Sequence, residues 1–408
     1  MSNDESTQGN LSSVPGSVEC GSPQSGREGR LKLVRQIEDM RKSQVVAYIC
    51  GDRQGAPQAQ IGDDAVRPMY DHIRDLPSSS KIDLFPYSRG GAVEVPWRMV
   101  TMLREHCSQL GVLIPYRAHS AATLIALGCD EIIMGKKAEL GPIDPALSIT
   151  QDGGTAVQEQ IRVEDVMSFV RFLKEVPGLT EQSALAENVR ILTEKLSPWV
   201  LGSIYRTHAH IRMVAQRMLS CHAKKLDDEI IERITETLAA KIYSHGHAIC
   251  RREAKEMGLP VKNPPADLEL LMWALLEEYE DVLCLNKPLD PDDHLSEKCD
   301  SARLDITIGL IESETITSAF NGCVNIRQIR KTPPQVNINL NLGISLPPGI
   351  DPRAVPPELQ KAVDELLKQI QMNAPKWVRE QTQSQSPITG IEVRFAHGAW
   401  RDVTKEGI

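Results

Sequence analysis

The chain has 408 residues, a formal net charge of −9 and an aromatic content of 4%. The acidic balance argues against nucleic acid as a partner, and so few aromatic residues leave little surface for base stacking. No apolar run of about 18 residues occurs, so we expect no integral membrane segment, and the polar N-terminus lacks the apolar core of a signal peptide, which predicts a cytoplasmic protein.

The first part of the chain alternates predicted strands and helices. Residues 1–29, rich in Ser, Gly and Asn, predict a disordered tail. Four apolar segments then predict strands, the first of them fully buried: VVAYIC (45–50), IDLFPY (82–87), GVLIPYRA (111–118) and DEIIMG (130–135). Helical segments, among them 61–76 and 95–110, separate these strands. This alternation predicts βαβ crossovers and a parallel sheet, an α/β fold.

The later part of the chain has a different character. Residues 156–260 predict an almost entirely helical region, and a Pro/Asp-rich segment at 286–300 predicts a linker. Three elements are predicted beyond it: a strand at 336–345, a helix at 356–371, and a β-hairpin at 390–403 that turns at His397–Gly398. We therefore expect a main domain over 30–285 and a small C-terminal α+β module of unknown role over 301–408.

Two short motifs place chemistry at the ends of predicted strands. Gly90 and Gly91 follow the second strand, where backbone without Cβ atoms could present N–H groups to a substrate carbonyl. Ser120 opens the helix after the third strand, at the edge of the sheet where α/β proteins bind ligands. Each motif has a structural alternative: a plain strand-to-helix turn for the glycines and an ordinary N-cap for the serine.

An acidic residue follows in a rigid turn. Asp144 lies in GPIDP, where it could contact Ser120 or could simply accept hydrogen bonds from loop amides. No C-x-x-C pair, P-loop or dinucleotide fingerprint is present, so we expect neither a metal site nor a cofactor.

The order of these motifs resembles a known family. SRGG (88–91), AHSAA (118–122), LGPIDP (140–145) and YSHGHAICRREAKEMGLPV (243–261) are similar to the serine dehydrogenase proteinase family, a Clp-type/crotonase relative of signal peptide peptidase A. The resemblance covers about residues 40–285. It implies a Clp/crotonase-like parallel βαβ sheet with a large helical oligomerisation region. It also implies a nucleophile, Ser120, and an oxyanion hole formed by Gly90, Gly91 and Ala121.

The general base departs from the resemblance. Ile143 stands where Clp-type proteases carry a histidine, with Asp144 as its neighbour. We therefore hypothesise that His245, which matches the family histidine, is the base, with His247 as the second candidate. Asp144 would orient the histidine or act on Ser120 directly, since triads are defined by geometry and not by chain order.

The sequence thus predicts a serine peptidase-like hydrolase that cleaves peptide or protein substrates through a Ser120 acyl-enzyme and assembles as a homo-oligomer. Two alternatives stay open. One is an acyl-CoA-processing crotonase-type enzyme, which would use the same oxyanion donors without a serine nucleophile. The other is a catalytically inactive scaffold of the same fold.

Overall fold

The computed structural model describes residues 26–150, 158–178, 180–242, 244, 246–296, 299–331 and 356–406. The chain divides into two compact units. The first unit contains the residues up to Leu289 together with Asp305–Cys323 and the segment from His397 onward. The second unit contains Asp290–Leu304 and Val324–Ala396.

The strands are numbered in chain order. They are β1 (Gln44–Cys50), β2 (Lys81–Tyr87), β3 (Gln109–Ile114), β4 (Arg117–Ala118), β5 (Glu131–Met134), β6 (Glu139–Leu140), β7 (Ala146–Thr150), β8 (Gln158–Arg162), β9 (Ile249–Cys250), β10 (Val261–Lys262), β11 (Ser301–Glu312), β12 (Thr317–Arg330) and β13 (Ile388–Asp402).

The α-helices are numbered in the same way. They are α1 (Gly26–Arg41), α2 (Val66–Ile73), α3 (Val95–Glu105), α4 (Ala121–Leu127), α5 (Val163–Glu175), α6 (Gln182–Lys195), α7 (Pro198–Ser220), α8 (Asp228–Glu236), α9 (Arg251–Met257), α10 (Ala266–Val282) and α11 (Pro357–Gln385). Within the described residues, no helix is both long and apolar enough to cross a bilayer.

The first unit is a mixed α/β domain around one central sheet. Strands β10, β5, β3, β2 and β1 lie side by side in that order and are all parallel. β11 then pairs antiparallel with β1, through the register Ala47 with Glu312, and β12 and β13 follow. The parallel part confirms the predicted α/β sheet, because βαβ crossovers bring successive strands side by side.

Both faces of this sheet are covered by helices. In β1, Val46 and Tyr48 point into one apolar cluster, which includes residues of α2, α3, α4 and α7. Val45 and Ile49 point into a second cluster on the opposite face, which includes residues of α1 and α10. This period-two alternation explains why β1 is apolar at every position from Val45 to Cys50, since a strand covered on both sides has no solvent-exposed face.

A buried ion pair fixes helix α1 to the sheet. The Arg30 guanidinium and the Glu312 carboxylate are 2.8 Å apart and fully buried, and the Tyr279 hydroxyl donates to the same carboxylate at 2.9 Å. Removing one partner of such a pair leaves an uncompensated buried charge, so this contact sets the position of α1 firmly.

The second unit contains α11 and the portions of β11, β12 and β13 that lie outside the first unit. Arg330 forms an ion pair with Asp300 at 2.7 Å, and the Lys331 N–H donates to the Pro387 carbonyl at 3.0 Å. Helix α11 begins where the sequence predicts a helix and extends well past the predicted end at 371.

Several predicted elements differ from the structure. The segment 111–118 forms two strands, β3 and β4, instead of one. The predicted helix at 61–76 is a 3₁₀ turn, Asp63–Ala65, followed by the shorter α2. The region 156–260 is not uniformly helical, because β8 pairs antiparallel with β7 as a hairpin. A local helical pattern cannot reveal such a pairing.

The C-terminal region also differs. The predicted hairpin at 390–403 is wrong: β13 continues through His397–Gly398, because pairing beside β12 overrides the local turn signal. The predicted division of the chain at 286–300 differs too, since Asp305–Cys323 returns to the first unit, where β11 pairs with β1. The predicted strand at 336–345 lies outside the described residues.

Candidate active site

Ser120 lies at a strained junction between β4 and α4. Its backbone angles are φ 51° and ψ −111°, a left-handed conformation that costs a non-glycine residue about 1–3 kcal/mol. The side chain of an ordinary N-cap serine accepts a hydrogen bond from a backbone N–H in the first turn of the helix, but the Ser120 side chain makes no such capping hydrogen bond. Among the described residues its hydroxyl has no hydrogen-bond partner. The geometry therefore differs from the N-cap alternative.

Gly90 approaches Ser120 more closely than any other residue type could. The Gly90 backbone has φ +126°, and a Cβ placed there would lie 2.8 Å from the Ser120 Cβ and 3.2 Å from its Oγ. A Cβ at Gly91 would lie 2.2 Å from the Ile61 carbonyl oxygen. Both glycines are therefore required by close packing, and the diglycine turn lies directly against the serine.

The N–H groups near Ser120 are not equivalent. The Gly90 N–H donates to the Ser88 Oγ at 3.0 Å and is already occupied. The Gly91 N–H and the Ala121 N–H, by contrast, have no hydrogen-bond partner among the described residues. Ala121 is the first residue of α4, where helical amides lack an intrahelical acceptor. Of the two free backbone donors, one belongs to the residue after Ser120 and the other to the diglycine turn.

Ser120 and the diglycine turn line a cavity of about 400 Å³. Its wall brings together Ser120, both glycines and Asp144, which are far apart in sequence. The remaining lining residues are Gln58, Ala59, Gln60, Arg89, Ala92, Val93, Glu94, Pro145, Leu147, Arg162 and Thr207. Ser120 and the diglycine turn therefore line the same cavity.

The two carboxylate oxygens of Asp144 differ in their hydrogen bonds. One carboxylate oxygen accepts a hydrogen bond from the Glu164 N–H at 3.2 Å, in the first turn of α5, and the other oxygen has no hydrogen-bond partner among the described residues. Burial raises the pKa of Asp144 to about 6; the Asp165 carboxylate adds to this shift and the Arg162 guanidinium opposes it. A carboxylate with such a pKa is matched to proton transfer near neutral pH.

Residues 23–165 match the family described as ClpP-like SDH-type serine proteinase. Over these residues the chain is similar to that family.

Two curated proteins of Methanocaldococcus jannaschii are also similar. MJ1495, an uncharacterized protein, is 25% identical over 255 residues, which is 61% of this chain and 76% of that protein. MJ0137, also uncharacterized, is 26% identical over 249 residues, 60% of this chain and 77% of that protein.

Among solved structures, two variants of the 1510-N membrane-bound stomatin-specific protease were found. A serine-to-alanine variant has 14% identity and a TM-score of 0.29 over 58% of this chain and 85% of that one. A lysine-to-alanine variant in complex with a substrate peptide has 13% identity and a TM-score of 0.23 over 57% and 98%.

Neither of the two candidate histidines is among the described residues that line the cavity. His245 lies outside the described residues. His247 is exposed, and its Nε2 lies 3.0 Å from the Glu253 carboxylate, so it does not line the cavity. His119, adjacent to the serine, has its Nε2 3.4 Å from Glu139. The structure therefore brings Ser120 and Asp144 to one cavity and leaves His247 outside it.

Sequence reasoning missed an ionic network that supports one wall of the cavity. The Asp52 carboxylate accepts hydrogen bonds from the Tyr87 hydroxyl at 2.8 Å, from Arg89 at 2.7 Å and from Arg117 at 3.0 Å. Asp52 and Arg89 lie just beyond β1 and β2, Tyr87 ends β2, and Arg117 begins β4, so the network lies at the carboxyl edge of the parallel sheet. The available signal in the sequence was Asp52, an acidic residue two positions after a buried strand.

Arg162 was missed for a different reason. It ends β8, in a region predicted to be helical, and reaches the cavity only because β7 and β8 form a hairpin. The segment Gln158–Arg162 reads QEQIR, in which only Ile161 is apolar, so its sequence showed no alternating strand pattern. Among the described residues, no group of three or more His, Cys, Asp or Glu is placed to hold a metal ion.

Proposed function

We propose that this chain is a serine peptidase in which Ser120 forms an acyl-enzyme with a peptide substrate. The observation that carries the proposal is the strained backbone of Ser120, which holds an unpartnered hydroxyl in the cavity. Strain of this kind persists only where the surrounding structure enforces it, and a sharp strand-to-helix turn is a recurrent support for serine nucleophiles.

The reaction follows from the position of the groups. The Ser120 Oγ attacks the scissile carbonyl carbon while its proton passes to a base. The carbonyl oxygen becomes an oxyanion that accepts hydrogen bonds from the Gly91 and Ala121 N–H groups. Collapse of this intermediate breaks the C–N bond, and the amine leaves with the proton held by the base. Water then attacks the ester, releases the acid product and restores the Ser120 hydroxyl.

Asp144 is our proposal for a base or for the group that orients one. Its free oxygen and its pKa of about 6 fit a proton acceptor at neutral pH. His245 stays the predicted histidine of the site, with Asp144 as its partner. Gly90, predicted as a further oxyanion donor, gives its N–H to Ser88, so its contribution is the space that it leaves beside Ser120.

Exposed apolar side chains on the helical region support the proposal of a homo-oligomer. In α5 and α7, Phe172, Trp199 and Tyr205 are all exposed, with Trp199 85% accessible. Helical faces of this kind are normally covered. Neither the acyl-CoA-processing alternative nor the scaffold alternative makes use of the strain at Ser120.

A fluorophosphonate probe tests the proposal, because it phosphonylates an activated serine hydroxyl. Mass spectrometry of the labelled wild-type protein should place the adduct on Ser120. Ser120→Ala should lose the label, whereas Ser108→Ala, which removes an exposed hydroxyl bonded to the Ser79 carbonyl, should label like wild type. An unlabelled wild type, or a label that survives in Ser120→Ala, would contradict the proposal.

A further inference from the structure

Ser88, a serine with no chemical role in the proposed reaction, forms hydrogen bonds that fix the loop carrying Gly90 and Gly91. Ser88 is 1% exposed. Its N–H donates to the Arg117 carbonyl at 3.0 Å, and its carbonyl accepts the His119 N–H at 3.0 Å. The Ser88 backbone therefore joins the end of β2 to the segment that leads directly into Ser120.

The Ser88 hydroxyl forms hydrogen bonds with both backbone polar groups of Gly90. It accepts the Gly90 N–H at 3.0 Å and donates to the Gly90 carbonyl at 3.2 Å. The same carbonyl also accepts the Ile61 N–H at 2.9 Å. Both polar groups of the Gly90 backbone are thus occupied, and its amide cannot turn toward a substrate without breaking a buried hydrogen bond.

Gly91 is fixed from the other side. The Ala92 N–H donates to the Ile61 carbonyl at 2.9 Å, so hydrogen bonds to the Ile61 backbone bracket Gly91 before and after it. Gly91 itself lines the cavity with its N–H unpartnered. Of the two glycine amides, therefore, one is occupied within the loop and the other remains free.

We propose that Ser88 is a positioning residue that selects the oxyanion donor: by occupying the Gly90 amide, it holds the Gly91 amide beside Ser120. This proposal rests on the proposed function for its effect on the reaction. The hydrogen-bond arrangement itself is independent of any activity. A loop free to rotate would have to be ordered during each turnover, whereas a loop held in advance requires no reorganisation.

Ser88→Ala and Ser43→Ala form the test pair. Ser43 is also buried, and its hydroxyl donates to Asp83 at 2.6 Å beyond the opposite end of β1, so its removal matches the loss of a buried hydroxyl away from the cavity. The full chain is treated with a fluorophosphonate probe. The maximal labelling rate and the probe concentration for half-maximal rate are measured for each variant, and NMR hydrogen exchange is followed at the Gly90 and Gly91 amides.

The proposal predicts that Ser88→Ala lowers the maximal labelling rate about 10–100-fold and leaves the half-maximal probe concentration within about twofold, because donor alignment matters most in the transition state. Ser43→Ala should label like wild type. Wild-type Gly90 should exchange slowly and Gly91 rapidly, and Gly90 exchange should accelerate in Ser88→Ala. An unchanged labelling rate in Ser88→Ala would overturn the proposal.

The exchange data separate this proposal from the proposed function. If wild type is not labelled at Ser120, the peptidase proposal fails, and the exchange pattern alone decides the role of Ser88. If Ser88→Ala does not fold, the hydrogen-exchange rates of the Gly90 and Gly91 amides in the wild-type protein still test the role of Ser88. Rapid exchange at Gly90, or protection at Gly91 equal to that at Gly90, would show that Ser88 does not select between the two amides.

Discussion

The Asp144 carboxylate accepts a hydrogen bond from the Glu164 N–H at 3.2 Å, so one side chain both caps helix α5 and lines the cavity of Ser120. The two roles can be separated. Asn retains an oxygen that caps the helix but has no proton-accepting carboxylate, whereas Ala removes both.

Asp144→Asn should therefore lose activity without losing stability. Because burial raises the pKa from 3.8 to about 6, the ionised carboxylate costs the folded state about 1 kcal/mol at neutral pH, given its partial exposure. This cost is absent below pH 4 and complete above pH 6. We expect urea denaturation at pH 7 to show Asp144→Asn at least as stable as wild type, Asp144→Ala less stable, and both variants labelled at least about 100-fold more slowly.

The same group sets a pH dependence. If Asp144 must be ionised to accept a proton, phosphonylation of wild type should rise with pH through about 6 and then level off. The probe rate should be measured from pH 4.5 to 8. An equal rate on both sides of pH 6 would exclude Asp144 as the titrating group.

Gly90→Ala should inactivate the site because its new Cβ would collide with the Ser120 side chain. The new Cβ would lie 2.8 Å from the Ser120 Cβ, so the serine must move away from the donors. We expect labelling to fall at least about 100-fold. The control is Gly202→Ala in helix α7, where nothing lies within 4 Å of the new Cβ and helix propensity should add about 1 kcal/mol of stability. Labelling of Gly90→Ala at the wild-type rate would contradict the close approach.

The central positions of this site follow from the sequence because they are local. Gly90, Gly91 and Ser120 each stand at the end of an apolar run, and parallel strands bring such ends to one edge of a sheet. Strain at Ser120 and the backbone hydrogen bonds of Ser88 to Arg117 and His119 are not local in this sense, since they depend on how β2 and β4 meet.

The remaining differences come from long-range pairing. Nothing near Ala47 indicates that Glu312 will pair beside it, and nothing near Arg162 indicates a hairpin partner. Strand pairing between segments so far apart in sequence depends on the packing of the complete core. Local periodicity consequently predicted the parallel sheet and missed both the antiparallel addition and the hairpin.

His72 should make the fold sensitive to acid. Its ring nitrogens lie 2.8 Å from the Ser313 hydroxyl and 3.1 Å from the Ser318 hydroxyl, and burial lowers its pKa from 6.5 to about 4. The unfolded chain binds the proton more readily, so stability is complete above pH 6.5 and is lost as pH falls toward 4. Between pH 7 and 5, wild type should lose about 2 kcal/mol more than His72→Gln in urea denaturation. Equal losses would refute this assignment.

Glu131 should matter for stability and not for the reaction. Arg41, Lys81 and Lys262 surround its carboxylate, and although burial opposes ionisation, these cations lower its pKa to about 2. Glu131→Gln should cost about 3 kcal/mol, because three cations lose their partner. Lys262→Met, which removes only the most exposed of them, should cost about 1 kcal/mol or less. Phosphonylation rates of both folded variants should equal that of wild type.

The most direct test is a crystal structure of the wild-type protein after treatment with a small phosphonate inhibitor. The account predicts a covalent bond from the Ser120 Oγ to phosphorus, with the phosphoryl oxygen within about 3.1 Å of the Gly91 and Ala121 N–H groups. Phosphorus bound to another residue, or a phosphoryl oxygen directed away from both amides, would contradict it.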